Sequence, residues 1–261
     1  MSVRNLQRAL LERYSETQVR HANSAAYADA RGAWPYYETN YARALAGIPR
    51  DGRILELGCG PGNLLAWLRN NGWTHVEGVD ASPGDVAIAN EQLGAPLVIF
   101  GDALDHLSAH PGSFDLVIAK AVIEHIPKDR LLPLVAATAA ALKPGGCAVI
   151  DVPNMDWLLA SHERYMDLTH EVGFTRESLA SLLSLAFTDV AIDGSQLAIQ
   201  TRSQRLLRPL LIRTLRRTLY VLGEGASDLL FSSRSLIAVA RSPLPEFPGS
   251  ETFGSLTGRS D

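Results

Sequence analysis

The chain has 261 residues, 46% of them hydrophobic, and a formal net charge of −4; a single domain of this length can bury a sizeable core. The acidic balance gives no support to general nucleic-acid binding. Two cysteines are too few for a disulfide framework, so a reducing, cytoplasmic setting is expected.

In chain order, residues 3–30 read as helix, with Leu6, Leu10, Tyr14 and Gln18 too sparse for a strong apolar face. Val3 to Arg20 is charged throughout, so no secretory leader is read there, and no apolar run approaches the ~20 residues of a membrane span. Trp34, Tyr36, Tyr37 and Tyr41 form an aromatic cluster before a helix end near Gly47. We divide the chain into a helical cap (1–47), a main domain (48–242) and a tail rich in Pro, Gly, Ser and Thr (243–261), expected to be mobile.

The run Arg53-Ile-Leu-Glu-Leu-Gly-Cys-Gly-Pro-Gly62 carries the most information. A short apolar strand, Ile54 to Leu57, contains an acid, Glu56, and empties into Gly58, Gly60 and Gly62. Such a turn lets a ligand touch bare backbone. A helix starting at Asn63 would aim its amides at that ligand. The next apolar stretch, Val76 to Val79, ends in Asp80, placed to accept ribose hydroxyls. The spacing G-x-G-x-G differs from the dinucleotide G-x-G-x-x-G, and no Gly-Lys-Ser/Thr follows, which excludes a P-loop. Glu56 would repel a pyrophosphate but suits a positively charged ligand. The reading is a nucleoside cofactor with a cationic part.

Three further segments continue the alternation. Leu97 to Phe100 leads through Gly101 to Asp102, and Ser113 to Ala119 is followed by Lys120-Ala-Val-Ile-Glu-His-Ile-Pro127. Leu142-Lys-Pro-Gly-Gly146 then opens a strand over Cys147 to Val152. Alternating strand and helix predict a parallel sheet with right-handed crossovers. A helix over Thr175 to Leu185, a strand over Thr188 to Ile192 and a last strand over Ser235 to Arg241 complete the domain, with a helical insertion at 195–234 before the final strand. Thr175-x-x-Ser178 lacks the Glu or Gln of a capping box, and none is expected. The expected fold is α/β: a Rossmann-like, doubly wound, seven-stranded, mostly parallel sheet with helices on both faces.

The glycine run resembles motif I of class I S-adenosylmethionine-dependent methyltransferases, and the later segments fall in that family's order. The resemblance implies S-adenosyl-L-methionine as cofactor, with contacts from Glu56, Gly58, Cys59, Gly60, Gly62, Asp80 and Ala81, and from Asp102, Ala103 and Lys120. In that family an acid at the position of Asp102 accepts from the adenine amino group; the residues alone equally allow a helix or turn cap.

Beyond the common core, Val152-Pro-Asn154, Arg164-Tyr-Met-Asp-Leu-Thr-His-Glu171 and Gly173 to Leu179 resemble a subgroup found among bacterial surface-polysaccharide and glycolipid genes, associated with O-methylation of sugars. This resemblance spans about 34–193 and departs at Ala186, where Gly is usual and a turn is affected. It implies a sugar, polysaccharide or glycolipid acceptor. A sugar hydroxyl is a poor acid, so a positioned base is needed. The candidates are His170, paired with Asp167 three residues earlier, and then His125. Tyr36, Tyr37, Glu124, Asn154, Arg164 and Tyr165 are candidate acceptor contacts. Glu124, His125, Asp167 and His170 are metal-ligand types without ligand spacing, so no metal is assigned, although a divalent ion is a possible aid to acidifying the hydroxyl. Two alternatives stand: methylation of a small aromatic or natural-product acceptor against a wall of Trp34, Tyr36 and Tyr37, and a non-catalytic binding module of this fold.

Residues 201–222 hold Arg202, Arg205, Arg208, Arg213, Arg216 and Arg217. At 100° per residue all but Arg208 fall on one face, with Leu207, Leu210, Leu211, Ile212, Leu215, Leu219 and Leu222 opposite, Leu206 an exception and Pro209 an expected break. Such a helix can be a peripheral contact with the inner face of a membrane, a lid, an acidic-glycan site, or a solvated face whose leucines pack on the core. Oligomeric state has no sequence signal.

Overall fold

The computed structural model describes residues 3–16, 29, 31–198, 200–221, 223 and 230–244. Most of the expected tail, Leu222 and the second half of the expected 3–30 helix lie outside these residues.

Seven strands make one sheet in the order β3-β2-β1-β4-β5-β7-β6: β1 (Arg53–Leu57), β2 (His75–Asp80), β3 (Val98–Phe100), β4 (Phe114–Lys120), β5 (Leu142–Pro153), β6 (Phe187–Gly194) and β7 (Ser235–Pro243). The first five are parallel, and β7 runs antiparallel to both β5 and β6. Nine helices accompany them among the described residues: α1 (Val3–Glu12), α2 (Trp34–Leu45), α3 (Asn63–Asn70), α4 (Pro83–Leu93), α5 (Ala103–Ser108), α6 (Lys128–Ala141), α7 (Ala160–Tyr165), α8 (Arg176–Leu183) and α9 (Arg202–Val221). This is the expected doubly wound architecture.

The period-two alternation of β1 shows how the sheet is buried on both faces. Leu55 and Leu57 belong to one core with Phe114, Val117, Leu134 and Leu179, while Ile54 belongs to a second with Tyr37, Tyr41, Leu65 and Trp67. Glu56 stays on the second face and is carried to the strand's end. A bulge sits where Phe114 pairs with Leu142 but Leu116 pairs with Cys147; a Cβ on Gly146 would lie 3.0–3.1 Å from three backbone oxygens. Strand order reverses between β1 and β4, and in such sheets ligands bind outside the carboxyl ends of the strands at that point.

Three sequence expectations are corrected. The N-terminal helix is not continuous: Val3–Glu12 is interrupted by a turn at Arg13 and helical residues resume at 14–16, beyond which the expected helix lies outside the described residues. Thr175 and Ser178 do form a reciprocal capping box: the Thr175 hydroxyl accepts from the Ser178 amide, and Ser178 Oγ accepts from the Thr175 amide at 2.9 Å. A serine at the third position reaches the cap amide as a glutamate would. Helix α9 runs through Pro209 without the expected break, and its face turned to the protein carries Arg208, Ile212, Leu215, Arg216 and Leu219, all half-buried, while Leu207, Leu210 and Leu211 face solvent.

Candidate active site

The two edges of the sheet treat their charges differently. At the amino edge, Asp115 accepts from the Arg53 amide at 2.7 Å and from Lys143 Nζ at 2.6 Å, and Arg53 pairs with Glu77 at 2.9 Å. At the carboxyl edge, Glu56 keeps one buried oxygen without a hydrogen-bond partner and Glu124 keeps both. Burial of a carboxylate without partners costs several kcal/mol unless it is neutralised or finds a cation, so these two mark the functional edge.

Glu56 enters the site because β1 delivers it, fully buried, to the glycine turn. Burial raises its pKa well above the carboxylate range, with the Lys120 charge opposing that rise. Gly58, Gly60 and Gly62 all take positive φ. At Gly58 a Cβ would also lie 2.5 Å from Val122 Cγ2, whereas at Gly60 nothing lies within 4 Å of that position. The turn thus bends as only glycine does readily and leaves clear space at its middle. Cys59 Sγ packs behind it, 2.8 Å from where Gly78 would carry a Cβ, and burial pushes its thiol pKa up.

Asp80, at the tip of β2, accepts from the Gly60 amide at 2.8 Å and from the Ser82 amide at 2.8 Å, one on each oxygen. The Ala81 amide also bears on the carboxylate, which keeps acceptor capacity for a further donor. Burial raises its pKa to about 6, against the pull of the Ser82, Gly60 and Ala81 amides. Ala81 beside it is exposed. Asp102 is committed elsewhere. It caps α5 through the Leu104 and Asp105 amides and receives Arg130 in a two-pronged pair, 2.9 Å on each side. Burial works to raise its pKa, but Arg130 outweighs that and the group sits below the usual range. A recess beside it is lined by Asp102, Ala103, Leu104, Ile126 and Arg130.

Lys120 ends β4 where its charge acts on Glu56, Glu124 and Asp151. The chain then turns through Ala121, whose φ of 52° is left-handed for a non-glycine residue, a strain characteristic of functional turns. A short 3-10 turn, Ile123–His125, follows. It buries Glu124 and His125, and the Glu124 carbonyl accepts from the Glu171 amide at 2.7 Å and the Val172 amide at 3.0 Å. Those bonds bring His170 to His125, with ring centroids 4.7 Å apart. One ligand atom from each of Glu124, His125 and His170 lies within 4.8 Å of the others, a set that could hold a divalent ion. The sequence lacked ligand spacing because the third member arrives from another segment. Burial raises the pKa of Glu124 to about 8.

Asp167 meets His170 through the backbone, its carbonyl accepting from the His170 amide at 3.3 Å, while its carboxylate is engaged by Thr169 and Tyr14. Its Oδ1 takes the Thr169 amide at 2.8 Å and the Thr169 hydroxyl at 2.6 Å, and its Oδ2 takes the Tyr14 hydroxyl at 3.0 Å. Thr169 Oγ1 lies 2.8 Å from His125 Nδ1. Because that hydroxyl's proton goes to Asp167, it accepts from His125, which fixes the proton on Nδ1 and leaves Nε2 as the ring's lone pair. Burial, and then the neighbouring His170, lower the His125 pKa to about 4. Gln7 Nε2 donates to the His125 carbonyl at 2.7 Å, and the Tyr14 ring meets His125 edge-on at 5.8 Å, so α1 and the turn after it roof the site.

Several expected acceptor contacts are occupied. Tyr37 is core, stacked on Tyr41 at 5.7 Å, and Tyr36 donates to Asp151 at 2.8 Å; neither offers a free aromatic wall. Asn154 is wholly buried, donating to the Leu230 and Ser233 carbonyls. Arg164 clamps the carbonyls of His170 and Glu171. Tyr165 is exposed. Asp151 was missed: it lies buried at the end of β5, accepts from Tyr36 and Tyr41, and reads in sequence only as an acid inside an apolar strand.

A family described as a methyltransferase domain matches residues 29–186. The chain belongs to that family. Its fold agrees with a SAM-dependent methyltransferase from Archaeoglobus fulgidus, with a TM-score of 0.60 and 24% identity over 87% of this chain and 98% of that one. It also agrees with phosphoethanolamine N-methyltransferase 2 of Haemonchus contortus in complex with S-adenosyl-L-methionine, with a TM-score of 0.56 and 20% identity over 91% and 60%. Among curated relatives, a ubiquinone biosynthesis O-methyltransferase of Thiobacillus denitrificans is 35% identical over 39% of this chain and 44% of its own length. A trans-aconitate 2-methyltransferase of a Mycobacterium species is 35% identical over 57% and 58%. The chain thus spans about half the length of the curated relatives it matches.

The methyltransferase domain's own residues fit S-adenosylmethionine. The orphaned Glu56 oxygen suits a buried cation, the Gly58–Gly62 turn leaves an open cradle, and Asp80 at the tip of β2 keeps acceptor capacity for a ribose hydroxyl.

Proposed function

We propose that the protein transfers the methyl group of S-adenosylmethionine to a hydroxyl oxygen, and that the acceptor is a sugar or glycolipid intermediate. The observation that carries this reading is the meeting of Glu124, His125 and His170 at the end of β4, beside the cofactor turn. When bound, S-adenosylmethionine supplies an electrophilic methyl on a sulfonium. The protein's part is to hold the acceptor oxygen in line and remove its proton.

His170 is half-buried and its ring makes no hydrogen bond among the described residues, so its lone pair is free to take that proton. His125, fixed by Thr169 and kept neutral by burial, stands beside it without adding positive charge. An aliphatic hydroxyl needs such a base far more than a phenol does, and of the wall an aromatic acceptor would use, Tyr37 is buried in the core and the Tyr36 hydroxyl is held by Asp151, while Trp34 is half-buried. The same cluster offers ligands to a divalent ion, which would acidify the hydroxyl directly.

Calorimetric titration with S-adenosylmethionine and S-adenosylhomocysteine tests the cofactor site first; a folded sample that binds neither overturns the reading. Labelled-methyl transfer to a panel of sugar, lipid-linked, aromatic and carboxylate acceptors follows. His170→Ala should lower turnover on a hydroxyl acceptor by about 10²–10⁴ with cofactor affinity unchanged. Unchanged turnover in that variant removes His170 from the base role and points to an acceptor, such as a carboxylate, that needs none. Loss of activity with chelator, restored by magnesium, assigns the acidification to an ion.

A further inference from the structure

Helix α9 takes no part in the site, yet it is the most unusual surface of the molecule. Its 20 residues include none that is buried, and it carries six arginines and no acid in a chain of net charge −4. An amphipathic surface helix turns leucines inward and charges outward. Here two arginines turn inward: Arg208 donates to the Ser232 carbonyl at 3.0 Å, and the Arg216 guanidinium lies 5.3 Å from the Phe231 ring centre. The leucines turn outward. Leu206, Leu207, Leu210 and Leu211 are 55–71% exposed, with Arg202, Arg205, Arg213 and Arg217 exposed around them.

The placement is specific. Strands β5 and β6 are both antiparallel to β7 and so run the same way. The chain leaving β6 for α9 therefore departs from the edge that carries the site. The loop after β5 reaches the same place: the Leu158 amide donates to the Phe231 carbonyl at 3.2 Å, and Leu158 and Leu159 are 60% and 59% exposed.

We infer that α9 docks the protein on an anionic lipid bilayer, with its outward arginines at the phosphate headgroups and its outward leucines in the acyl boundary. Leucines interleaved with cations are what an interfacial helix presents, and no helix among the described residues is long and apolar enough to cross a membrane. Charge decides against a second copy as the occupant, because two such helices face to face would set arginine against arginine with no acid to intervene. The inference does not depend on which acceptor is methylated.

The test is flotation of the full chain with vesicles of phosphatidylcholine alone and of phosphatidylcholine with phosphatidylglycerol. Binding is expected only to the anionic vesicles, and it should weaken with salt. Each arginine near an anionic surface is worth about five-fold in partitioning, so R213Q/R217Q should bind roughly thirty-fold more weakly. L210Q/L211Q should also lose binding, both variants keeping the wild-type circular dichroism and cofactor affinity. Equal binding to neutral vesicles, no binding to either, or binding unchanged in both variants overturns the proposal. So does a wild-type dimer, seen by sedimentation, that L210Q/L211Q converts to monomer.

Discussion

Asp80 and Asp102 end neighbouring strands, and both are acids at the tips of apolar runs, yet their surroundings divide the labour. Asp80 holds backbone amides and keeps acceptor capacity; Asp102 spends both oxygens on Arg130 and a helix cap. We expect Asp80→Ala to weaken S-adenosylhomocysteine binding at least ten-fold by calorimetry. Asp102→Ala should chiefly lower stability, by about 1 kcal/mol from the lost cap. With the Asp80 pKa near 6, binding that needs its ionised form should weaken as pH falls below about 6. Thr169 is a positioning residue. Thr169→Val should lower kcat with KM little changed, because it frees the His125 tautomer, and Thr169→Ser should restore it. The sequence made Glu56, Asp80 and the glycine turn legible, since strand, turn and acid are contiguous there. It hid Thr169, which meets His125 across 44 residues and donates to the Asp167 carboxylate that the sequence reading set beside His170.

At the scale of elements, the glycine turns and period-two runs fixed the strands closely, and helix ends were less legible. The capping box at α8 is an instance: a rule written for glutamate overlooks a serine whose short side chain reaches the same amide. Thr175→Ala should destabilise the protein by about 1 kcal/mol in chemical denaturation, with no change in cofactor affinity. The orientation of α9 was not legible at all. Both of its faces carry leucine, and which one turns inward is settled by the backbone of Ser232 and the ring of Phe231, residues that a helical projection does not contain.

Among the described residues, the buried carboxylates Glu56 and Glu124 lie at the carboxyl edge of the sheet with oxygens that make no hydrogen bond, and the stability of the molecule should record this. Glu124 has a folded pKa near 8, raised by burial, so between its ordinary value and 8 the folded state holds more protons than the unfolded state. Stability should therefore fall as pH rises through that window, by up to about 1.4 kcal/mol per pH unit. His125, lowered to about 4, acts oppositely, costing stability as pH drops from about 6.5 to 4. Above pH 6.5 His125 no longer opposes this slope, to which burial of Glu56 and Asp151 adds in the same direction, and Glu124→Gln should reduce it in denaturation curves measured without cofactor.

Asp151 bears on the order in which the chain can be completed. Two of the hydroxyls that bond this buried carboxylate come from Tyr36 and Tyr41, 115 and 110 residues earlier in the chain, with Ser235 of β7 adding a third. During synthesis α2 leaves the ribosome before any strand exists for it to cover. It must wait for β5, an interior strand made after the midpoint of the chain, before its tyrosines have an acid to bind. The first part of the core to be synthesised is therefore among the last to be secured.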